Sequence, residues 1–459
     1  MKTLRLLSAV FSCTIILNPL QSLADDKYWA CGSDSWDQSS CWNPTGQPMD
    51  GDDVYLTQSD STDRVVTYAN AITPTPSLIS LNVDATGSGT MTLSQSQDSL
   101  FSLDLSIQNG IYNLGGTGFL RTTYSLIGAW PPFGEPRIGT SAVFNQSGGN
   151  FDAIDDLFIG SNGTYNLNGG NVGSGFQLVV YGTFNQSNGT HANADSSNVY
   201  GTYNLSGGKF IDNNGSKAVT GTFNQTGGEH TVSVSDVGSY DVYGTYNQSG
   251  GTTIIINRTY PDMRHALDLH AGGTYNLSGG LLDADNIEVS DGKFNFTGGT
   301  LTVDEFIGDL DNKGGTLSPG NSPGTTHITG NYSQTHDSVY AVEIGGSGTG
   351  EFDVLDVEGT ATLSGFLDVS LIDLGSGEFL PSLGDSFDIL LAQMISGRFD
   401  DYSLPMINEN FSWNVSYLTD EIGSTDVVRL SVKAPEPTTI TLLSIGLIGM
   451  GFARCKKRT

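Results

Sequence analysis

A chain of 459 residues can hold two or three globular domains or one long repeat array. Its 60 glycines, close to twice the usual share of roughly 7%, recur periodically and therefore mark turns. Residues 25–453 carry 13 basic against 49 acidic side chains, a net charge of −36; this argues against nucleic acid or another polyanion as a partner, and such acidity keeps an extended, sheet-rich chain soluble.

Residues 1–24 read as a secretory signal peptide: Lys2 and Arg5, an apolar run from Leu6 to Leu17, then Ser22-Leu23-Ala24, whose small residues suit a cleavage site. A permanent anchor is the weaker alternative, because the apolar run is short. Cys13 would leave with this leader, and Cys455 lies in the basic tail as a lone thiol. Cys31 and Cys41 are expected to form a disulfide in an oxidising compartment, since no further ligands accompany them to suggest a metal. They fall within residues 25–55, with Trp36, Trp42 and the Asp50-Gly51-Asp52-Asp53 step. This stretch resembles the opening segment of secreted bacterial β-helix proteins, where a Trp-containing cap leads into the first strand. A cap is physically required there, because a first coil would otherwise show an unpaired strand edge to water.

Residues 56–324 are expected to be β-solenoid repeats. Over 56–140 the strands alternate (Leu78–Val83, Leu100–Ile107) with few recognisable motifs, and a Pro-rich loop falls at Trp130–Pro136. Beyond them one motif dominates, as in Gly201-Thr202-Tyr203-Asn204-Leu205-Ser206-Gly207-Gly208. Its aromatic recurs at Phe144, Tyr165, Phe184, Tyr203, Phe223, Tyr246, Tyr275 and Phe294, with spacings of 21, 19, 19, 20, 23, 29 and 19 residues and a worn copy at Tyr112. A period of this size marks one supersecondary unit per repeat. Within each copy Thr, Asn and Ser share one parity, and the aromatic and Leu or Gln share the other, which is the rule of a strand. Gly-Gly then permits a sharp turn. Two or three short strands per roughly 20 residues describe one coil of a parallel β-helix. Coils stacked at roughly 4.8 Å would pile ring on ring and amide on amide. We expect the aromatics inside and the Asn residues at or near a corner, although parity alone leaves the inward face open.

Asn-x-Ser/Thr recurs at Asn145, Asn185, Asn204, Asn224, Asn247, Asn276 and Asn295; phase-locking to the coil favours a ladder over a glycosylation array. The 29-residue interval holds an insertion around Arg258–His265, where specific binding would sit if this face recognises a ligand.

Gly314–Gly324, with Ser318-Pro319-Gly320-Asn321-Ser322-Pro323-Gly324, is similar to the junction that closes passenger β-helices of autotransporter-like surface proteins. The resemblance implies a closing domain, and the alternating stretches Phe352–Leu371 and Leu383–Leu390 fit an antiparallel or mixed β cap, or a small sandwich, over 325–433.

Residues 434–459 comprise Pro435-Glu436-Pro437, a 16-residue apolar run from Thr438 to Ala453, and the basic tail Arg454, Lys456, Lys457 and Arg458. As a helix the run would reach about 24 Å, enough to cross a hydrocarbon core of roughly 30 Å with snorkelling ends. The basic residues would keep the tail on the cytoplasmic side. The arrangement resembles a PEP-CTERM sorting signal. It implies transient anchoring in the inner membrane, recognition by an exosortase-type processing enzyme, and release to the surface or medium of an exopolysaccharide-producing Gram-negative bacterium.

No catalytic constellation or cofactor site is legible. Asp155-Asp156 and Asp283/Asp285 are the candidate acid pairs for a polysaccharide-cleaving β-helix, but neither sits in a hydrolase-like motif, and solvated corner carboxylates are the plainer reading. His265 and His270 come closest to a pair, without the spacing of a zinc site. The sequence therefore points to an all-β, non-enzymatic, exported structural protein of the kind that can serve as an adhesin. The alternative is a polysaccharide-binding or polysaccharide-cleaving β-helix with exopolysaccharide as its partner.

Overall fold

The alternation in the repeat becomes a row of short strands. In one coil these are Thr202–Leu205, Lys209–Asn213 and Lys217–Val219, each paired in parallel with its counterpart one repeat earlier and later. The computed structural model describes residues 24–434 except 70–74, 130–140, 235–237, 258–265, 321, 376 and 408–409. Over them the chain is an all-β solenoid of about 14 turns. Three parallel sheets run its length, and the repeat motif forms the first of them.

Burial settles the parity. In Thr202–Leu205 and its neighbours the aromatic and the Leu or Gln are buried, while Thr and Asn stay half-exposed. From Tyr112 through Tyr275 the rings form one unbroken stack, with successive centroids 4.6–4.9 Å apart. The stack loosens at Phe294, where the separation is 5.7 Å and Phe296 takes the inward position. The Asn residues stand on the outward face in mid-strand, not at a corner. Their amides donate coil to coil from Asn295 down to Asn113, every bond 2.7–2.9 Å.

Two glycine positions explain the motif's punctuation. Gly208, second of its pair, turns the chain at φ +77°, where a side chain would be strained. Gly221 has an ordinary φ but no room: a Cβ there would lie 2.2 Å from the carbonyl oxygen of Gly201 in the coil beneath.

The inward positions obey a pairing rule between adjacent coils. Where a coil places Gln inside, the next coil carries Tyr as its ring, and the hydroxyl reaches back to donate to the Gln Oε1: Tyr112 to Gln95, Tyr165 to Gln146, Tyr203 to Gln186, Tyr246 to Gln225 and Tyr275 to Gln248, at 2.5–2.8 Å. Where a coil places Leu inside, the ring of the next coil is Phe, which needs no partner: Phe144, Phe184, Phe223 and Phe294 follow the coils of Leu114, Leu167, Leu205 and Leu277. The match gives each of these five tyrosine hydroxyls a partner, and a one-coil slip would break it. Gln186 also donates from Nε2 to the carbonyls of Lys209, at 2.8 Å, and Gly189, at 3.2 Å, tying the turn together. Accordingly, Tyr203→Phe is expected to cost about 1–3 kcal/mol. Gln186→Leu should also destabilise, whereas the double variant, which copies the natural Leu167–Phe184 layer, should lose less than the sum. A double-mutant cycle in urea should give a coupling energy of about 0.5–3 kcal/mol, and strict additivity would refute the rule.

The ends differ from the coils. At the N-terminal end Trp29, Trp36 and Trp42 are buried in edge-on contacts, Trp36 continues onto Tyr68, and Cys31 is bonded to Cys41. At the other end the parallel ladder runs on past residue 324, into the region 325–433 expected to be an antiparallel or mixed β cap or a small sandwich. Thr325–Ile328 pairs in parallel with Val354–Leu363, which pairs in parallel with Ser386–Gly397. The closing hairpin, Ser412–Ile422 with Thr425–Lys433, is antiparallel, and Thr425–Lys433 lies antiparallel against Ser386–Gly397. Alternation of apolar and polar residues gives a strand and its buried face but is blind to the partner's direction, so the mixture of parallel and antiparallel pairing here is visible only in the structure. Among the described residues no helix is long and apolar enough to cross a membrane. The leader, the Pro-Glu-Pro motif, the expected C-terminal helix, the basic tail, Trp130–Pro136, Arg258–His265, Cys13 and Cys455 lie outside the described residues, save Ala24 and Ala434 at their edges.

Candidate outer-face site of the third sheet

Each coil turns three faces to solvent, and they differ in chemistry. The first sheet shows the Thr and Asn ladders. The second shows mixed polar residues, including the exposed Lys209–Glu229 ion pair at 2.9 Å. The third concentrates aromatic and acidic side chains.

Toward its N-terminal end Asp104, Tyr124 and Asp156 occupy one outward column, in register across three successive coils. Ser106, Leu126 and Phe158 lie beside them, and together with Leu105 and Ser125 they line a groove of about 430 Å³. Tyr124 is exposed. Burial, and then the neighbouring charge of Asp155, push the Asp156 carboxyl above the ordinary carboxylate range. Its Oδ1 is shielded from solvent and has no hydrogen-bond partner among the described residues. A carboxyl with a free hydrogen-bonding oxygen beside a tyrosine face and apolar walls is chemistry suited to a polyhydroxylated ligand. Ile79, Leu103, Ile154 and Phe176 add exposed apolar side chains along the corner preceding this sheet.

The acid pairs do not converge. Asp283 faces outward on the second sheet, in register with Ile254 and Thr302, roughly 29 Å along the axis from Asp156 at about 4.8 Å per coil. Burial raises Asp283, with the charge of Asp285 adding to it, and Asp285 accepts a bond from the backbone N of Asn257 at 2.6 Å. The structure thus separates the two candidate pairs by face and by length.

His270 has two acidic neighbours, and His265 lies outside the described residues. Its Nε2 lies 3.2 Å from Asp241 Oδ1 and 3.5 Å from Asp268 Oδ2, on the outer face of the third sheet. The three side chains bring ligand-capable atoms within 4.8 Å of one another. A cation there would have two carboxylates and one imidazole, fewer oxygens than calcium takes, and His270 already hydrogen-bonds Asp241 while Ser290 donates to Asp268. The ring also stacks on Tyr243 at 4.2 Å.

Sequence reasoning missed Asp104, Tyr124, Tyr200 and Tyr243. A signal existed for the last two: Tyr-Gly-Thr precedes the main aromatic at Tyr181, Tyr200 and Tyr243, a second aromatic at fixed phase. For Asp104 and Tyr124 there was none, because only inter-coil register brings them into one column.

No protein-family model matches the chain, and no curated protein matches it.

Proposed function

We propose that the chain is an exported, non-enzymatic rod of the bacterial surface or extracellular matrix, handled as a precursor through a PEP-CTERM and exosortase route. The observation that supports this most is the spine itself. Rings stacked from Tyr112 to Tyr275, fastened outside by the Asn amides, make a long, stiff body whose repeats contact only their neighbours. Such a body is useful for its shape and reach. The secretory leader and the Pro-Glu-Pro, apolar and basic segments give the route by which it reaches the outside. Changing Pro435, Glu436 and Pro437 to Ala is expected to hold the intact precursor in the inner membrane. Cell fractionation with mass spectrometry of the C-terminus checks this, and unchanged processing and release would remove the sorting reading.

A second reading, polysaccharide binding along the rod, is favoured by one observation: the groove where Asp104, Tyr124 and Asp156 line up beside Leu126 and Phe158. It is compatible with the first, since a matrix rod that holds exopolysaccharide is still a structural protein.

A further inference from the structure

The corner that follows the third strand of each coil carries a column of outward residues: Tyr181, Tyr200, Thr220, Tyr243 and His270. Backbone bonds set them in line, from Tyr200 N to Val180 O, Thr220 N to Val199 O, Tyr243 N to Val219 O and His270 N to Val242 O. Tyr181 and Tyr200 stack at 4.6 Å and 10°, Tyr243 and His270 at 4.2 Å and 5°. Near-parallel planes separated by about one coil rise put each ring normal along the solenoid axis. One rung of this ladder has no ring. At Thr220 the column drops to a short side chain, so Tyr200 and Tyr243 face each other across two coil rises, about 9.6 Å. Their other faces are covered by Tyr181 and His270, and they remain 45% and 44% exposed.

We propose that this missing rung is a binding slot for one neutral pyranose unit of a polysaccharide. A ring midway between the walls would stand about 4.8 Å from each centroid, inside the stacking range of roughly 4.5–7 Å. The C–H faces of a pyranose would lie on the two tyrosine faces. Its hydroxyls would meet polar groups at the rim: the Thr220 hydroxyl below, and Asn198 and Asp241 in the adjacent outward column. Ala218 stands between these two in register and leaves the flank open. An aryl ligand would offer those polar groups no hydrogen bonds. The net charge of −36 over residues 25–453 disfavours uronic acids and selects neutral sugars. The slot rests on the polysaccharide-binding reading and adds a subsite several coils beyond the Asp104–Tyr124–Asp156 groove.

Titration calorimetry of the purified full chain with hexaoses of glucose, xylose, mannose and N-acetylglucosamine tests it. At least one hexaose is expected to bind. Tyr200→Ala and Tyr243→Ala should each weaken it about tenfold, the loss of one stacked face. Thr220→Tyr installs the absent ring and should abolish binding without lowering the melting temperature, because the ladder becomes continuous. Thr220→Ser keeps both the opening and the hydroxyl and should bind as wild type. Binding that survives Thr220→Tyr overturns the slot while leaving the polysaccharide reading, with the Tyr124 groove as its place. Failure of every hexaose to bind at millimolar concentration overturns both.

Discussion

Lys217→Met is expected to cost roughly 3–5 kcal/mol of stability, read as a fall in the urea midpoint, because it strands a charge inside the solenoid. Lys217 and Asp212 are both fully buried, with Nζ 3.9 Å from Oδ1. Asp212 also accepts from Asn193 Nδ2 at 2.8 Å and from the Ser197 hydroxyl, and Lys217 Nζ donates to the carbonyls of Gly215 and Asp195 at 3.3 and 3.4 Å. Burial pushes the Asp212 carboxyl up and the Lys217 amine down, and each charge partly offsets the shift of the other. Without the lysine only burial remains strong, so Asp212 folds best with a proton on it. The folded pKa of Asp212 then lies above its unfolded value. The variant's deficit should therefore grow as pH rises above about 4 and shrink as pH falls toward it. Lys217→Met with Asp212→Leu removes both charges and should recover most of the loss, since a buried pair replaced by apolar groups is often neutral or stabilising. A single variant as stable as wild type at pH 8 would mean that the pair is not buried as described.

The second large effect comes from acid. His191 and His230 stand in a second inner stack with Phe210, at 4.7 Å from it on either side, and burial lowers both imidazoles to about 3. Each Nδ1 meets the hydroxyl of a spine tyrosine, Tyr203 at 3.2 Å and Tyr246 at 3.1 Å. The folded pKa lies below the unfolded value of about 6.5, so the folded chain holds both rings neutral while the unfolded chain protonates them. Their contribution to stability is complete above about pH 6.5 and is lost as pH falls through the window to about 3. At pH 4 the loss should reach roughly 2–3 kcal/mol per histidine relative to pH 7. His191→Phe with His230→Phe keeps the stack, as Phe210 does between them, and leaves Tyr203 and Tyr246 bonded to Gln186 and Gln225. This double variant should therefore lose much less stability than wild type between pH 7 and pH 4. Equal losses would show that these imidazoles are not held neutral.

The sequence by itself determined the repeat, its strand parity, the coil length and the class of the fold, because a motif returning every 19 to 29 residues with fixed alternation has few other ways to satisfy its backbone. Only the tertiary structure decided what stands above what. The rule that matches Tyr203 to Gln186 and Phe223 to Leu205 relates residues in adjacent coils, and it can be read only once pairing fixes their register. The same holds for the column of Asp104, Tyr124 and Asp156, for the gap at Thr220, and for the ladder's passage beyond Gly324, where alternation specifies a buried face but not a partner or its direction. Local periodicity is written along the chain; contacts between coils depend on insertions and turn lengths summed over whole turns, and those are resolved only when the coils are stacked.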